Sequence, residues 1–396
     1  MKKVRSMVLG FLFALSLLLL GPAQAQDLKL RGEFEGGKLY QAGKFTVVES
    51  RGNYRQMGRQ YGKLMRNQLQ EFYQASINDL FIKKYGLKYE DMKEAAHLIF
   101  DLYPERFKAI VYGMAETSGM DQDKLIILDS FMPLVMLEGL PYCTGMAAWG
   151  DYTNGEPLVF GRNWDFGPLV KDFGRFLTLV IFNPNDGSVP TASFGYVGGI
   201  AINNGMNKAG LFIENNEGVI SGGRIYYDNR QNVQLMELAF LLDSSTLQQM
   251  DTALHSYRTV FPIILNVASK NVAYSYECAT FDTKRRSGVN DGLLVATNHF
   301  VDPSWGIALP ATEPEDKTLT RRKNLLAQGE KHQGKFNAKT MMEVFDTTIP
   351  EGGPTWPLET HHTTYQIVAV PEQLKLWLKA PGYADWTEVD LEELFD

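Results

Sequence analysis

The stretch from Leu140 to Asp165 reads LPYCTGMAAWGDYTNGEPLVFGRNWD, and it decides the fold because it contains a hairpin signal. Asn154-Gly155 is a dipeptide that favours a two-residue hairpin turn. It lies between two apolar runs, Gly145 to Trp149 and Leu158 to Phe160. The stretch therefore predicts two antiparallel strands joined by a turn.

Cys143 lies on the first predicted strand, and Arg162 and Asp165 lie on the second. With a two-residue turn, Cys143 pairs with Phe166. Because side chains alternate between the faces of a strand, Arg162 then shares the face of Cys143, and Asp165 points to the other face. Pro157 cannot donate a hydrogen bond to a neighbouring strand, so we expect a wider loop or a bulge, and a register correct to within a couple of residues.

The chain before Cys143 is mostly helical in pattern after a short extended start. Apolar residues recur every three or four positions from Tyr54 to Tyr73 and from Lys88 to Tyr112, which predicts helices. Gly58 and Gly62 lie four residues apart on one helix face. That spacing indicates close packing against another backbone.

The chain after Cys143 reads as strands broken by turns, with a second helical block at Val233 to Leu242 and Leu247 to Val260. Strands flanked by blocks of helix favour two packed sheets with helices outside them. The sequence therefore predicts an α+β fold.

Five pieces of sequence occur in order between residues 45 and 370. They are the glycine run Gly52-x5-Gly58-x3-Gly62, Cys143-Thr144 with Gly161 to Asp165, Gly205 to Leu211 followed by Asn215-Asn216, Thr297-Asn298-His299, and Thr320-Arg321. In kind and order they resemble the N-terminal nucleophile (Ntn) cysteine hydrolases. That superfamily includes penicillin acyltransferase, bile salt hydrolase and acid ceramidase.

The resemblance implies the αββα four-layer sandwich, with a helical segment preceding the nucleophile. It also implies a site, since the family's catalytic positions fall on Cys143, Arg162, Asp165, Asn215 or Asn216, Asn298, and Arg321 or its neighbour Arg322. The asparagine side chains would stabilise an oxyanion, and the late arginine would brace the carboxylate and the nucleophile. No cofactor or metal is implied.

The family mechanism requires the chain to cut itself between Tyr142 and Cys143, because an internal cysteine has no free amine. Cys143 would then carry a thiol with a pKa of about 8.5 and an α-amine with a pKa of about 7.7–8.0, a base that is partly unprotonated near neutrality. The charge of Arg162 would lower the pKa of the thiol, and Asp165 would hold the amine. We expect cleavage of a linear N-acyl amide through a thioester, with water or a second amine as acceptor, and an apolar acyl chain as the first candidate.

Residues 1–25 have the pattern of a secretory signal peptide. Basic residues precede the apolar run from Met7 to Leu20, and Ala23-Gln24-Ala25 is a small-x-small cleavage site. The apolar run is short for a membrane span, and no later run is long enough. We expect an exported protein, periplasmic or secreted, with residues 26–142 as a mainly helical N-terminal segment and 143–396 as the catalytic segment.

The composition is that of a globular protein, with 44% hydrophobic residues and a net charge of −7. The basic residues are scattered along the sequence, and this pattern does not indicate binding to nucleic acid. The expected partners are a small N-acyl amide and, after self-cleavage, the other fragment of the same chain.

Two alternatives stay open at this point. Cys143 and Cys278 are the only cysteines, and an even count in an exported protein is compatible with a disulfide, which would make the chain a secreted binding protein. Alternatively, Cys143 pairs with His299 or His362 in a papain-like peptidase. Titration of free thiols distinguishes the binding protein from either enzyme.

Overall fold

The computed structural model of the chain describes residues 28–136, 139, 141–221 and 230–396. The predicted signal peptide, residues 1–25, lies outside these ranges. No helix in the described ranges has the length and apolarity needed to cross a membrane.

Sixteen named strands form two sheets in the described part of the chain. The larger sheet has the spatial order β1 (Lys29–Phe34), β2 (Gly37–Ala42), β3 (Phe45–Gly52), β6 (Leu177–Pro184), β7 (Thr191–Tyr196), β8 (Asn204–Asn207), β9 (Phe212–Glu217), β10 (Ile263–Ala268), β11 (Ala273–Cys278) and β12 (Thr283–Arg286). The smaller sheet has the order β13 (Leu293–Ala296), β4 (Tyr142–Ala148), β5 (Val159–Asp165), β14 (Thr363–Val370), β15 (Lys375–Ala380) and β16 (Ala384–Asp390). The β3–β6 pair is parallel, and the other neighbouring pairs are antiparallel.

Helices precede β4, the strand that carries Cys143, and cover the sheets. The described α-helices are α1 (Tyr54–Leu64), α2 (Arg66–Tyr73), α3 (Tyr89–Asp101), α4 (Glu105–Ser118), α5 (Gln122–Asp129), α6 (Phe131–Val135), α7 (Val233–Asp243), α8 (Leu247–Ser256), α9 (Thr318–Lys331) and α10 (Ala338–Asp346). A π-helical segment, Gln74–Lys84, continues α2. The predicted helix from Lys88 to Tyr112 is two helices, because Pro104 cannot continue α3 and instead precedes α4.

The two sheets face each other, and helices cover their outer faces. Strands β4 and β9 are in contact across the interface between the sheets. Helix α10 packs on β5 and β14 of the smaller sheet, where Met341 and Phe345 meet Val159 and Val368. Helix α7 packs on β7, β8 and β9 of the larger sheet. The expected αββα sandwich is therefore confirmed.

The N-terminal segment contributes strands as well as helices to this fold. Strands β1, β2 and β3 form one edge of the larger sheet, and helix α1 packs on them. Helices α1 and α4 lie so close that a Cβ at Gly62 would stand 2.6 Å from the carbonyl oxygen of Met114, and one at Gly58 would overlap Ile110. The interpretation of Gly58 and Gly62 as packing residues is confirmed.

Candidate active site

The hairpin that carries the predicted nucleophile is formed by β4 and β5. Cys143 pairs with Trp164, two residues from the expected partner Phe166, and Gly145 pairs with Arg162. The strands end at Ala148 and resume at Val159, so the connection is the wider loop that Pro157 led us to expect. A shift of two residues preserves the faces because side chains alternate with a period of two. Arg162 therefore shares the inner face with Cys143.

Cys143 is fully buried between the two sheets. The Nη2 atom of Arg162 lies 3.8 Å from its Sγ atom. Burial nevertheless raises the pKa of the thiol to about 12, and the charge of Arg162 lowers that pKa by less. Arg162 thus acts on the thiol pKa in the expected direction, but desolvation outweighs this single cation in the uncut chain.

The negative charge of Glu214 on β9 limits how far Arg162 lowers the pKa of the Cys143 thiol in the uncut chain. Its carboxylate accepts hydrogen bonds from Arg162 Nη1 and Asn266 Nδ2. Arg162 Nη1 also donates to the carbonyl oxygen of Asn215 at 3.0 Å. Burial raises the pKa of Glu214 to about 7, against the lowering effect of Arg162. Sequence reasoning missed Glu214, although a carboxylate directly after the apolar run Leu211 to Ile213 was a usable signal.

Asp165 lies opposite Tyr142 on the face of the smaller sheet that turns away from the larger sheet. It is fully buried, and neither of its oxygens makes a hydrogen bond of normal geometry within the described part of the chain. Burial raises its pKa to about 7, while the charge of Arg321 and the hydroxyl of Thr363 lower that pKa less strongly. A buried carboxylate with no hydrogen bond stronger than this contact to Thr363 is costly, so this position is suited to receiving a cationic donor.

Asn215 and Asn216 point in opposite directions because they are adjacent on β9. The Asn215 side chain faces α7, where its Nδ2 donates to Glu237 Oε1 at 2.7 Å. The Asn216 side chain shares the inner face with Glu214, and in the amide orientation that gives both of its polar atoms a partner, its nitrogen donates to Glu214 Oε2 at 3.0 Å. Asn215 is therefore not a side-chain oxyanion donor, and its carbonyl oxygen is the atom that touches Arg162.

Arg321 rather than Arg322 contacts β4, the strand that carries Cys143. It is fully buried on α9, and its Nη1 donates to the carbonyl oxygen of Cys143 at 2.7 Å and also to Thr144 Oγ1. Its Nη2 donates to Asn298 Oδ1 at 2.8 Å. Arg322 lies outside this group, near Glu277, and burial lowers its pKa.

Asn298 connects Arg321 to the chain just before Cys143. Its Nδ2 donates to the carbonyl oxygen of Glu217 at 2.9 Å and lies 3.4 Å from the carbonyl oxygen of Pro141. An amide donor beside the Pro141–Cys143 backbone is in a position to serve a carbonyl oxygen that becomes negatively charged there.

Neither histidine pairs with Cys143. The Nδ1 atom of His299 is 2.8 Å from Thr318 Oγ1, and burial lowers the pKa of its ring to about 4. His362 stacks on Trp356 with ring centroids 4.6 Å apart. Within the described ranges the structure brings no imidazole to the thiol, so the papain-like pair is not formed there.

The disulfide alternative is wrong, because Cys143 and Cys278 are both free thiols. Cys278 is buried at the end of β11, where Ile263 and Thr283 are its neighbours on the adjacent strands. Among the residues that the structure describes, no three His, Cys, Asp or Glu side chains form a group that would hold a metal ion.

Several solved structures are similar to this chain. No protein-family model and no curated protein sequence matches the chain. An ortholog of N-acylethanolamine-hydrolysing acid amidase from Caenorhabditis elegans is 19% identical, with a TM-score of 0.43, and the match covers 63% of this chain and 100% of that one. A mutant of conjugated bile acid hydrolase from Clostridium perfringens is 13% identical, with a TM-score of 0.45, covering 63% and 93%. Penicillin V acylase from Agrobacterium tumefaciens is 13% identical, with a TM-score of 0.43, covering 64% and 88%.

Proposed function

We propose that this protein is a self-processing cysteine hydrolase or acyltransferase that cleaves a linear N-acyl amide through a thioester on Cys143. One observation carries the proposal. Cys143 is the second residue of β4 and has a guanidinium 3.8 Å from its sulfur, and the carboxylate beside its backbone, Asp165, lacks a hydrogen-bond partner of normal geometry in the described chain.

Self-cleavage supplies the partner that Asp165 lacks. The Cys143 sulfur attacks the carbonyl carbon of Tyr142, the C–N bond breaks, and the thiol proton goes to the released nitrogen. Water then hydrolyses the thioester, which leaves Tyr142 as a carboxylate and Cys143 as a free N-terminus. The new α-ammonium group can pair with Asp165, which relieves the cost of burying that carboxylate alone.

The processed site can then act on a separate amide. The unprotonated α-amine of Cys143 takes the proton from the thiol, and the thiolate attacks the carbonyl carbon of the substrate. Donors such as Asn298 stabilise the oxyanion. The amine leaves with the proton, and water or a second amine takes the acyl group from sulfur. Arg162 stabilises the thiolate in these steps, and Glu214 holds Arg162 in place.

Replacement of each cysteine tests the proposal. Cys143→Ala should abolish both self-cleavage and hydrolysis of a panel of N-acylated amines and amino acids. Cys278→Ala is the matched control, because it removes a buried free thiol far along the sequence and should leave both reactions in place. Intact-mass analysis of the denatured wild type should show a fragment that starts at Cys143. A fully active chain that stays uncut would contradict the mechanism.

We also propose that the protein is exported, on the strength of the predicted signal peptide. The mature N-terminus is then expected at or near Gln26, which N-terminal sequencing of a periplasmic or secreted fraction would show. Recovery of the full-length chain from the cytosol would contradict this proposal.

A further inference from the structure

A buried carboxyl group lies behind the candidate site, on the helix that packs on the outer face of the larger sheet. Glu237 is the only charged residue between Val233 and Leu242 of α7, and its side chain is fully buried. Glutamate is almost never buried to this extent unless it has a partner. Burying it carries a cost that a specific contact must offset.

Glu237 makes its contact with β9. Its Oε1 atom accepts a hydrogen bond from Asn215 Nδ2 at 2.7 Å. The main-chain carbonyl oxygen of Asn215 accepts a hydrogen bond from Arg162 Nη1 at 3.0 Å. The second terminal nitrogen of that guanidinium, Nη2, is the atom that lies 3.8 Å from Cys143 Sγ. Three consecutive contacts therefore join Glu237 to the sulfur, through Asn215 and Arg162.

The position of Asn215 affects the direction of the whole guanidinium group. Arg162 Nη1 has two acceptors on adjacent residues of β9, which are the Glu214 carboxylate and the Asn215 carbonyl oxygen. A guanidinium group is planar and presents its N–H groups in a fixed fork, so holding Nη1 also holds Nη2. If Asn215 shifts, Nη1 loses one of its acceptors and Nη2 is less well held at the sulfur.

The charges around Glu237 favour its neutral form. Arg162 is the cation whose charge acts on it, and Arg162 already pairs with Glu214. The Oε2 atom of Glu237 makes no hydrogen bond within the described ranges, and burial raises the pKa of this carboxyl well above the ordinary value. The other ionisable groups whose charges would act on it are uncharged near neutral pH, since burial raises the pKa of each: Tyr257, Cys278 and Tyr365.

We propose that Glu237 is a positioning residue, which in its protonated form anchors Asn215 and through Asn215 sets the orientation of Arg162 toward the Cys143 sulfur. The inference rests on the proposed function, in which Arg162 stabilises the thiolate. A neutral carboxyl group suits this role because it accepts the hydrogen bond from Asn215 without placing a second negative charge near Arg162. An ionised Glu237 would compete with the thiolate for that one guanidinium.

Two substitutions of Glu237 test the proposal in the processed enzyme, with the N-acyl amide that the wild type hydrolyses fastest. Glu237→Gln keeps the acceptor oxygen and the shape of a neutral carboxyl group, so kcat and the pH profile of kcat/KM should stay close to those of the wild type. Glu237→Leu removes the acceptor, and kcat should fall roughly tenfold with little change in KM, the range expected for one neutral hydrogen bond. The acid limb of its kcat/KM profile should move to higher pH, because Arg162 then stabilises the thiolate less.

Asp251→Leu is the matched control, since Asp251 is also a helix carboxylate that anchors side chains of the larger sheet. It lies on α8 and accepts hydrogen bonds from Tyr276 and Arg285, both at 2.9 Å. Neither partner belongs to the group that holds Arg162. This variant should lose stability in thermal unfolding without a shift of the acid limb, so the control separates a loss of stability from a loss of positioning.

Two results would overturn the proposal while leaving the proposed function in place. The first is a Glu237→Leu enzyme that is less stable but has the kcat and acid limb of the wild type. The second is an acid limb that moves to lower pH in Glu237→Gln, which would show that Glu237 is ionised. Asn215→Ala removes the same hydrogen bond from its other end and should give the same shift as Glu237→Leu, so the test does not depend on the folding of the leucine variant.

Crystal structures decide the point without turnover. In Cys143→Ala/Glu237→Leu protein, Arg162 Nη1 should lie farther from the Asn215 carbonyl oxygen than the present 3.0 Å. Cys143→Ala/Glu237→Gln protein should keep this contact. An unchanged contact between Arg162 and Asn215 in the leucine variant would overturn the proposal.

Discussion

Asp165 should make the stability of the uncut chain depend on pH. Its folded pKa of about 7 lies above the unfolded value of about 3.9, so the protonated form is favoured by folding. The resulting stability is present below pH 4 and is lost as the pH rises through 7. We expect the free energy of unfolding of Cys143→Ala protein to fall by on the order of 4 kcal/mol from this one group.

Urea unfolding between pH 4 and pH 8 would measure this change. The double variant Cys143→Ala/Asp165→Asn should show a smaller dependence, because an amide has no proton to lose. The remaining slope would come from the other carboxylates whose pKa values burial raises, which are Asp129, Glu214, Glu217, Glu237 and Asp316. Equal slopes in the two proteins would show that Asp165 is ionised already in the uncut state.

Arg321 and Arg322 provide a matched pair of adjacent residues. Arg321→Gln removes the donors to the Cys143 carbonyl oxygen, Thr144 and Asn298, and should destabilise the fold by about 3–5 kcal/mol and stop self-cleavage. Arg322→Gln, at the neighbouring position outside this network, should have a much smaller effect on both. Chemical denaturation and the fraction of cleaved chain are the measurements. The reverse order of the two variants would show that the arginine assignment is off by one residue.

The hairpin of β4 and β5 can form the proposed site only if β4 lies close to the larger sheet. Gly145 permits this approach, because a Cβ at that position would overlap Glu214 Oε1. Gly145→Ala should cost about 1–3 kcal/mol and should slow self-cleavage, since Glu214 must move and Arg162 with it. In Gly32→Ala the new Cβ would meet Leu64 at an ordinary 3.8 Å, so this control should be close to neutral. Thermal unfolding would measure the change in stability, and intact mass would measure self-cleavage. Normal cleavage in Gly145→Ala would argue against close packing of residue 145 on Glu214.

After self-cleavage, the two fragments should remain associated as one complex. Strand β3 pairs in parallel with β6 from Thr46 to Gly52, so the two fragments share the larger sheet. They also share a small cavity, to which Phe72 and Phe131 contribute from the N-terminal side and Trp164 from the other. Native mass spectrometry should give a complex of both fragments, and denaturation should separate them. An active larger fragment that has lost its partner in native buffer would contradict this prediction.

Much of the site could be predicted from local sequence. The Asn154-Gly155 signal and the period of two placed Arg162 on the face of Cys143, and that placement survived a register error of two residues. Asn154 and Gly155 do adopt positive φ angles of 55° and 82°, although they form only part of a longer loop. The helices of the N-terminal segment were also recognisable, because amphipathic spacing is a local property.

The remaining features depend on contacts between residues far apart in sequence. Glu214 belongs to the site only because β9 packs against β4, and the choice of Asn216 over Asn215 depends on which face of β9 is turned inward. Similarly, β1 to β3 have no local signal that directs them to pair with β6 rather than to form a separate unit.

The sequence by itself therefore determined the hairpin that carries Cys143, the faces of its side chains and the order of helical and strand blocks, because all of these follow from spacing along the chain. Only the tertiary structure decided the pKa of Cys143 and the environment of Arg162. Both depend on burial between two sheets and on Glu214, which approaches from the facing sheet. Desolvation and ion pairing arise where segments far apart in the sequence pack together. The local sequence pattern does not indicate which segments these are.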